Sequence, residues 1–366
     1  MTLRLTTAGE SHGPALVGIL TGLPAGLALD RARIDADLHR RQLGYGRSPR
    51  QRLERDEIDV VAGLRHGRTL GTPLAFLVRN LDHTNWAWGM SPWPPDSGPA
   101  GKGTQAVTVP RPGHADLAGA LKYGLSDVRD ALERASARQT AVAVAAGAIV
   151  KALLDEIGIS VESTVLEVGG AEDETATRAA IDAAQGERDT LGGVVEACAR
   201  GVPPGLGSYS TQEERLDARL AAAMMGIQAV KAVEIGDGLA LARARGSEAH
   251  DEIRRDDRGL YRETNRAGGL EGGVSNGEPI VVRAAMKPLP TLMRPLRSVD
   301  LETGEDREAL VERSDVAAVE ALAVVAEAVL AFELARAARE KFGGDSIGDF
   351  VAGHQAYLER IPWTRR

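Results

Sequence analysis

Cysteine is almost absent from this 366-residue chain, which contains Cys198 and no other. One cysteine cannot form an internal disulfide, and a thiolate metal site normally needs several cysteine ligands. We therefore expect no bound metal. A single thiol also fits a reducing compartment, so the sequence predicts a cytoplasmic protein.

Long apolar runs are missing as well. No stretch of about 18 or more consecutive apolar residues, the length needed to cross a bilayer, occurs in the chain. Residues 1–7 are short and mixed, unlike the charged and then apolar pattern of a secretory leader. We expect neither secretion nor membrane insertion.

The chain also lacks an excess of positive charge. Lysine and arginine number 44 against 52 aspartates and glutamates, which gives a formal net charge of −8. This balance argues against a general nucleic-acid binder, so any anion site must be a local basic cluster. Hydrophobic residues make up 43% of the chain, enough for the core of one large domain or two.

Such a basic cluster lies between residues 39 and 55. Its seven basic residues accompany one acid, Glu54, and are His39, Arg40, Arg41, Arg47, Arg50, Arg52 and Arg55. A charge run of this kind is usually a solvated loop. The embedded Gly44-Tyr45-Gly46-Arg47 favours a second interpretation, because glycines let the backbone approach a ligand whose anionic groups the arginines bind.

The stretch from Val109 to Leu154 is predicted to be the central element. It begins as a polar loop around His114, passes two cations at Arg134 and Arg138, and continues into residues 141–150, which are apolar on every side. A helix that is apolar all round is normally buried completely. We expect the loop and the arginines to face a ligand while the buried helix holds them in place.

Short apolar runs and turn residues predict the remaining elements. They indicate strands at 3–7, 15–20, 159–168, 227–235 and 279–285, and helices from Asp30 to about 41, within 171–189, at 216–225 and at 316–341, the last capped by Ser314 or Asp315. Two pairs of similar turns, 22–27 with 201–206 and 69–74 with 190–195, suggest a duplicated βα layout. Residues 265–277 carry five glycines, which indicates backbone packed close to a flat ligand rather than a linker.

Two other motifs resemble catalytic or nucleotide-binding signatures but lack the residues or the neighbouring elements that those signatures need. Gly9-Glu10-Ser11-His12-Gly13 satisfies G-x-S-x-G, the nucleophile elbow of serine hydrolases, but that motif needs a preceding sheet and a following helix. Gly101-Lys102 approaches a P-loop, but Asp96 and Gly103 occupy positions where that loop needs glycine and Ser or Thr.

Nine motifs together resemble those of the chorismate synthase family, in the family's order and nearly end to end. They are GESHG at 9–13, RRQLGYGR at 40–47, RHGRTLGTP at 65–73, RPGHAD at 111–116, ERASAR at 133–138, EIGDG at 234–238, NRAGGLEGG at 265–273, KPLPTL at 287–292 and KFGGDS at 341–346. The resemblance implies a single α+β domain over 1–366, a β-α-β sandwich, and a homotetramer.

The resemblance also implies the reaction. The family converts 5-enolpyruvylshikimate 3-phosphate to chorismate and phosphate by an anti 1,4-elimination, which needs reduced FMN but has no net redox change. A substrate with a phosphate and two carboxylates explains why a net-acidic protein concentrates arginine. No G-x-G-x-x-G lies between a strand and a helix, so NADPH as reductant is suggested by the resemblance alone.

Roles are carried over residue by residue. His12 would act as general acid near the departing phosphate, His114 would stabilise charge at the flavin N1 and C2 carbonyl, and Asp345 would assist at flavin N5. Arg41 and Arg47 would contact an anionic ligand or NADP. The implied FMN contacts are Arg134, Ala135, Ser136, Gln228, Ala229, Gly272, Lys287, Pro288, Leu289, Pro290, Thr291 and Arg313.

Plainer interpretations stand beside these roles. Asp345 could be only a helix N-cap, and Lys287 and Arg313 could be surface charges. Structural hydrogen bonding is the expectation for the other histidines, His39, His66, His83, His250 and His354. An alternative function is a flavin-dependent oxidoreductase that turns over NAD(P)H.

Some residues depart from the family's pattern. Ser48 replaces a glycine after GYGR, and Gln139 replaces a glutamate after SAR. The common VPAAG reads Val319-Glu320-Ala321-Leu322-Ala323, so a proline and a glycine are lost. The family resemblance therefore does not predict the local backbone geometry at these positions. None of the changes alters His12, His114 or Asp345.

Overall fold

The periodic apolar segments form helices and strands close to where the sequence predicts them. The computed structural model describes residues 2–47, 55–96, 98–257, 259–311 and 315–361. Within these ranges the helices are α1 Arg31–Gln42, α2 Asp116–Tyr123, α3 Arg129–Ala135, α4 Thr140–Asp155, α5 Glu174–Gly186, α6 Leu216–Met225, α7 Gly246–Ala249, α8 Val319–Phe342 and α9 Ile347–Arg360.

The strands follow the same chain order. They are β1 Arg4–Ala8, β2 Ala15–Thr21, β3 Ile58–Ala62, β4 Leu64–Arg65, β5 Arg68–Thr69, β6 Leu74–Arg79, β7 Ser160–Val168, β8 Gly193–Arg200, β9 Val230–Ile235, β10 Ile253–Asp256, β11 Gly259–Arg262, β12 Leu270–Glu271, β13 Val274–Ser275, β14 Ile280–Met286, β15 Arg297–Val299 and β16 Asp306–Glu308.

Two four-stranded antiparallel sheets have the same strand order. The first is β1-β2-β6-β3 and the second is β7-β8-β14-β9, so in each sheet the fourth strand in sequence lies between the second and the third. A helix joins the second and third strands of each sheet, α1 in the first and α6 in the second. This equivalence is what the predicted duplicated layout requires.

Only one of the two predicted turn pairs falls at equivalent places in the two sheets. The turns at 22–27 and 201–206 both follow the second strand of their sheet. The turn at 69–74 leads into the fourth strand of its sheet, whereas the turn at 190–195 leads into the second. The likeness of that second pair was therefore misleading, because Thr-Leu-Gly turns are common in unrelated positions.

The long helices α4 and α8 lie between the sheets. Helix α4 packs on β2 and β6 of the first sheet, α8 packs on β7 and β8 of the second, and the two helices pack on each other. Their approach is close, since a Cβ at Gly147 would lie 2.4 Å from the Cβ of Ala328. This sheet–helix–sheet arrangement confirms the α+β sandwich, and residues 141–150, predicted to be completely buried, are buried except for Ala143.

Alternating burial explains how the sheets cover these helices. Strand β14 buries every second side chain, beginning with Ile280, as expected when one face is packed on the core. In β2 the inward position Gly18 faces Phe76 of β6, whose ring occupies the space a side chain would need. One hydrophobic cluster runs through both sheets and the helices between them.

The N-terminal end of α1 agrees with the sequence prediction, whereas that of α8 does not. Asp30 caps α1, accepting a hydrogen bond from the main chain of Ala32 at 2.9 Å. The predicted cap of α8 at Asp315 is wrong, because the helix begins only at Val319, and Ser314 lies outside the described residues.

Among the residues that the structure describes, one helical segment, Arg129–Asp155, is long and apolar enough to span a membrane by length and composition. Its most apolar window is 61% buried inside the fold, and core helices commonly meet the same criterion. The segment is also interrupted by a 3-10 turn at Ala137–Gln139, between α3 and α4.

Candidate active site

His12 lies in the turn between β1 and β2. Gly9 opens this turn with a φ of 103°, and a Cβ there would lie 2.5 Å from the carbonyl oxygen of Ala15, so the turn needs glycine. The main-chain N–H of His12 donates to Glu133 at 2.8 Å, and its Nδ1 lies 2.8 Å from the same carboxylate. The imidazole stacks on Trp86 with ring centroids 4.0 Å apart.

Side chains from outside the turn hold its main chain. Arg134 donates to the carbonyl oxygens of Thr7 at 3.1 Å and Gly9 at 3.2 Å. Asn80 donates to the carbonyl oxygen of Gly13 at 2.6 Å. Gln139, one of the departures from the family's pattern, donates to Gly9 from the position where α4 begins. The predicted FMN contact Arg134 is thus brought to the His12 turn.

Ser11 is not placed as a hydrolase nucleophile. It lies between two antiparallel strands, whereas a nucleophile elbow joins a strand to a helix. The hydroxyl of Ser136 donates to Ser11 Oγ at 3.2 Å, so the segment Arg134–Ser136, with Ala135 at its centre, packs beside the turn. This geometry contradicts the hydrolase alternative.

A buried carboxylate, Asp56, binds two arginines next to this turn. Arg41 reaches it at 2.9 Å and Arg138 at 2.6 Å, and Arg138 also donates to Asn80. Burial opposes ionisation of Asp56, but hydrogen bonds from the two guanidinium groups hold its pKa below the usual value. The cluster therefore carries more positive than negative charge.

One nitrogen of Arg41 makes no hydrogen bond to the described residues of this cluster. Its Nε is buried and has no hydrogen-bond partner among the described residues. Burial lowers the pKa of Arg41, Asp56 opposes the shift, and the nearby charges of Arg138 and Arg47 add to it. An anion at this position would supply the missing acceptor and offset the repulsion between the arginines.

Arg47 extends the same cluster from the loop after α1. Its guanidinium pairs with Asp315 at 2.9 Å, while its Nε is buried without a hydrogen-bond partner among the described residues. Glu320, which replaces the family's proline, accepts the main-chain N–H of Tyr45 at 2.9 Å and so holds this loop on α8. Of the other predicted cluster members, Arg50 and Arg52 lie outside the described residues, as does Ser48.

His114 lies on a loop before α2 and has its own carboxylate. Its Nδ1 makes a short hydrogen bond with the fully buried Asp116, which Arg111 also binds through Nε at 2.8 Å. Burial would raise the pKa of Asp116, but the hydrogen bonds from His114 and Arg111 outweigh it and lower the pKa far below the usual value. Arg111 also donates to Thr291 at 3.3 Å.

The predicted FMN segment 287–291 is brought to the His114 loop. Lys287 Nζ donates to the carbonyl oxygen of Gly113, and Pro290 lies beside the same glycine. The main chain of Lys287 donates to the carbonyl oxygen of Ala229 at 3.0 Å. Ala229, which follows Gln228, has a φ of 70°, a strained value for a residue with a side chain.

Two predicted residues lie away from these groups, and one cannot be placed. The main-chain carbonyl of Asp345 accepts the N–H of Ala25, which follows β2, whereas His12 precedes that strand. Gly272 lies in the β12–β13 turn, at the other end of β14 from Lys287. Arg313 lies outside the described residues. The simpler interpretation of Asp345 as an N-cap is wrong, because Ser346 caps α9.

The predicted site residues did not include several that the structure brings to the site: Asp56, Asn80, Trp86, Arg111, Asp116 and Glu133. Glu133 stands first in the ERASAR motif, and Asp56 ends the basic cluster, so both had a signal in the sequence. Trp86 and Asn80 had none. The described residues contain no group of three or more His, Cys, Asp or Glu side chains that could hold a metal ion.

The site defines a class of enzyme. Arginines around one carboxylate suit a small substrate with several anionic groups, and two histidines on buried carboxylates suit proton transfer. Such a site is suited to the elimination or transfer of an anionic group.

Comparison with known proteins names the family. A family model described as "Chorismate synthase" matches residues 3–338. The chain is 52% identical to the chorismate synthase of Desulforudis audaxviator, covering 99% of each chain, and 51% identical to that of Rubrobacter xylanophilus, covering 99% and 98%. A solved structure titled "Crystal Structure of Chorismate Synthase" has a TM-score of 0.78 at 37% identity, covering 98% of each chain.

The chain belongs to the chorismate synthase family. It is accordingly a carbon–oxygen lyase of the shikimate pathway that acts on 5-enolpyruvylshikimate 3-phosphate, and its family requires a reduced flavin. The oxidoreductase alternative is not favoured by these matches.

Proposed function

We propose that the His12 turn, the arginine cluster around Asp56 and the His114 loop form one active site for reduced FMN and 5-enolpyruvylshikimate 3-phosphate. The observation that carries this proposal is the convergence of separate motifs on α3 and its neighbours. Glu133 makes a hydrogen bond with His12, and Arg134 donates to the main chain of the His12 turn. Arg138 donates to Asp56. One continuous stretch thus organises both the predicted acid and the predicted anion site.

The arginine cluster is suited to the anionic groups of the substrate. Arg41 and Arg138 share one carboxylate, so part of their hydrogen-bonding capacity remains for a ligand. The buried Nε of Arg41 has no acceptor among the described residues, which is costly unless a ligand provides one. We assign Arg41, with Arg47 beside it, to bind phosphate or carboxylate.

The donors around the His114 loop fit FMN. Lys287 provides a cation, Thr291 a hydroxyl and His114 an imidazole, which together match a phosphate and the polar edge of a flavin ring. The strained backbone at Ala229 directly contacts this segment, and strain of this kind concentrates at binding sites. Bound reduced FMN would supply electron density to the allylic system and accept the C6 hydrogen.

The residues of the chain then perform the proton chemistry. His12 donates a proton to the departing phosphate oxygen, and the arginines stabilise the negative charge that develops there. His114 stabilises charge at the flavin edge, with Asp116 and Arg111 orienting its ring. We retain the assignments of Asp345, Gly272, Gln228 and Arg313 as predictions from the family resemblance.

The proposal is tested by product stoichiometry under anaerobic conditions. The purified chain is mixed with photoreduced FMN and 5-enolpyruvylshikimate 3-phosphate, and phosphate and chorismate are measured together. We expect one phosphate for each chorismate, no net oxidation of the flavin, and no turnover with oxidised FMN. NAD(P)H oxidation without release of phosphate would instead support the oxidoreductase.

A second anaerobic assay asks how the flavin is reduced. With NADPH as the only reductant, turnover would show that the chain reduces its own FMN, and its absence would show a need for an external reductase. We further propose a cytoplasmic homotetramer without a nucleic-acid or membrane partner, supported by the family resemblance and the net charge of −8. Light scattering at several concentrations measures the mass of the assembly.

A further inference from the structure

Glu133 makes unusually complete contact with His12. The carboxylate receives the main-chain N–H of His12 at 2.8 Å, and Nδ1 of the ring lies 2.8 Å from one carboxylate oxygen and 3.0 Å from the other. The Glu133 side chain is 1% exposed. The main chain of Glu133 adds a third link, since its carbonyl oxygen accepts the N–H of Ser11 at 3.1 Å.

Burial makes these contacts essential to Glu133. A carboxylate removed from water is costly unless hydrogen bonds compensate it, and His12 provides two such donors, its main-chain N–H and its ring Nδ1–H. Accepting from Nδ1 requires that Nδ1 carry a hydrogen. The pair therefore selects one arrangement of the imidazole, with a hydrogen on Nδ1.

A second contact, on the face of the His12 imidazole, also restricts the orientation of that ring. Trp86 stacks on the imidazole at an interplanar angle of 20°, and its own Nε1 donates to Asp82 at 3.1 Å. A ring held at its edge by Glu133 and on its face by Trp86 has little freedom to turn over. Nε2 is then the nitrogen through which His12 exchanges a proton with a ligand.

We propose that Glu133 is a positioning residue for His12, holding hydrogen on Nδ1 and directing Nε2 toward the departing phosphate. This inference rests on the proposed role of His12 as general acid. In the step it supports, the proton on Nε2 moves to the phosphate oxygen as the carbon–oxygen bond breaks. The other hydrogen stays on Nδ1, hydrogen-bonded to Glu133, and solvent returns a proton to Nε2 before the next turnover.

Asp116 holds His114 in a similar way but offers a less specific test. That carboxylate also binds Arg111, which in turn contacts Thr291, so its loss would disturb the proposed flavin segment. Glu133 has no such link to the segment 287–291 among the described contacts. Its substitution should therefore change proton transfer without changing flavin binding.

The test is Glu133→Gln, which keeps the shape of the side chain but removes its charge. An amide can orient its nitrogen toward Nδ1 and so favour the other tautomer. We expect kcat to fall by at least about 10-fold, as with other histidines that lose an orienting carboxylate, while KM and the Kd for reduced FMN change little. Asp130→Asn, an exposed acid on the same helix α3, is the matched control.

Histidine ¹⁵N NMR provides a readout that is independent of activity. The His12 signals are assigned by their loss in His12→Ala, and we expect the Nδ1–H pattern in the unmodified chain and a changed pattern in Glu133→Gln. The double variant His12→Ala with Glu133→Gln should be no slower than His12→Ala alone, because the two residues act as a unit.

The outcomes separate this inference from the proposed function. An unchanged ¹⁵N pattern in Glu133→Gln overturns the inference, whatever happens to kcat. A normal rate for His12→Ala would overturn the role of His12, while the ¹⁵N comparison would still test the positioning. If Glu133→Gln does not fold, Glu133→Asp keeps the charge on a shorter side chain and should change kcat and the ¹⁵N pattern in the same direction.

Discussion

Both proposed catalytic histidines contact a buried carboxylate through Nδ1, yet the two pairs are built differently. Asp116 lies two residues from His114 in the chain, so the local motif contains the whole pair. Glu133 lies 121 residues from His12 and reaches it through the packing of α3 on the turn. At the residue scale, the site is thus partly a product of local sequence and partly of the fold.

Lys287 provides a prediction at this scale. Lys287→Met removes the cation beside the His114 loop, and we expect the Kd for reduced FMN to rise roughly 10-fold, the value of one charge-assisted hydrogen bond. Anaerobic fluorescence titration measures this change. Lys231→Met removes an exposed lysine on β9 and should leave the Kd unchanged. Equal Kd values for Lys287→Met and the unmodified chain would show that Lys287 is a surface charge.

Residue types at the site could be predicted better than their partners. The histidines and Arg41 stood out because glycine-flanked loops and basic clusters are visible in a sequence. Trp86 and Asn80 did not, because their roles depend on segments that meet only after folding. The contact of Asp345 with Ala25, beyond the end of β2 opposite His12, likewise depends on the fold and not on its motif.

Helix α1 shows how one element serves both stability and the site. Consecutive residues on a helix point about 100° apart, so Arg40 and Arg41 reach different partners. Arg40 donates twice to Glu327 of α8, at 2.9 Å each, while Arg41 turns to Asp56. Lys151 of α4 also binds Glu327, and the resulting network joins α1, α4 and α8.

Glu327 gives this network a measurable pH dependence. Burial would raise the pKa of Glu327, but hydrogen bonds from Arg40, Lys151 and Ser163 lower it from 4.5 to about 2. A carboxyl with a lowered folded pKa stabilises the fold fully above its unfolded pKa of 4.5. That stabilisation, of the order of 3 kcal/mol, is lost as the pH falls toward 2.

The corresponding variant is Glu327→Gln. We expect it to reduce the free energy of unfolding at pH 7 and to weaken the dependence of that free energy on pH below about 4.5, because the lost charge no longer titrates. Urea unfolding at several pH values measures both effects. Glu174→Gln, an exposed acid paired with Arg178, is the control. An unchanged pH dependence in Glu327→Gln would contradict the role of the network.

Elements were predicted well where their patterns were strong. Helix α6 has the predicted bounds, and the five strands predicted with bounds lie within three residues of their predicted ends. The start of α8 was not predictable, because Asp315 has the character of a cap but pairs with Arg47 instead. Within the glycine-rich segment 265–277, residues 270–275 form a β-hairpin packed on α6, and Gly268, Gly269 and Gly273 serve close contact within the protein.

At the scale of the whole molecule, the two sheets have the same strand order but pack on different sides of the central helices. Each covers one side of the layer formed by α4 and α8, and the hydrophobic cluster crosses both interfaces. We propose on this ground that residues 1–366 form a single domain. Neither half could bury its helices alone, because each of α4 and α8 packs on the other as well as on its sheet.

Thermal unfolding tests this single-domain proposal. We expect differential scanning calorimetry to show one cooperative transition, since unfolding either sheet exposes the shared helices. Two resolved transitions, with one retained after partial heating, would indicate that the sheets belong to separate domains.

The family resemblance predicted the architecture, whereas composition and periodicity predicted only its parts. Two pairs of similar turns suggested a duplication. The strand order that the two sheets have in common is known only from the hydrogen-bonded pairing of the strands. Sheet order depends on which strands meet at long range, and that information is not local to any motif.

The central claim is that His12 acts as the acid in phosphate release from this site. Its most direct test is the anaerobic rate of phosphate release by His12→Ala with reduced FMN bound. We predict a rate lower by about 10² to 10⁴, an unchanged Kd for FMN, and a normal rate for the control His39→Ala, which removes an exposed histidine of α1. Phosphate release by His12→Ala at the rate of the unmodified chain would contradict the account.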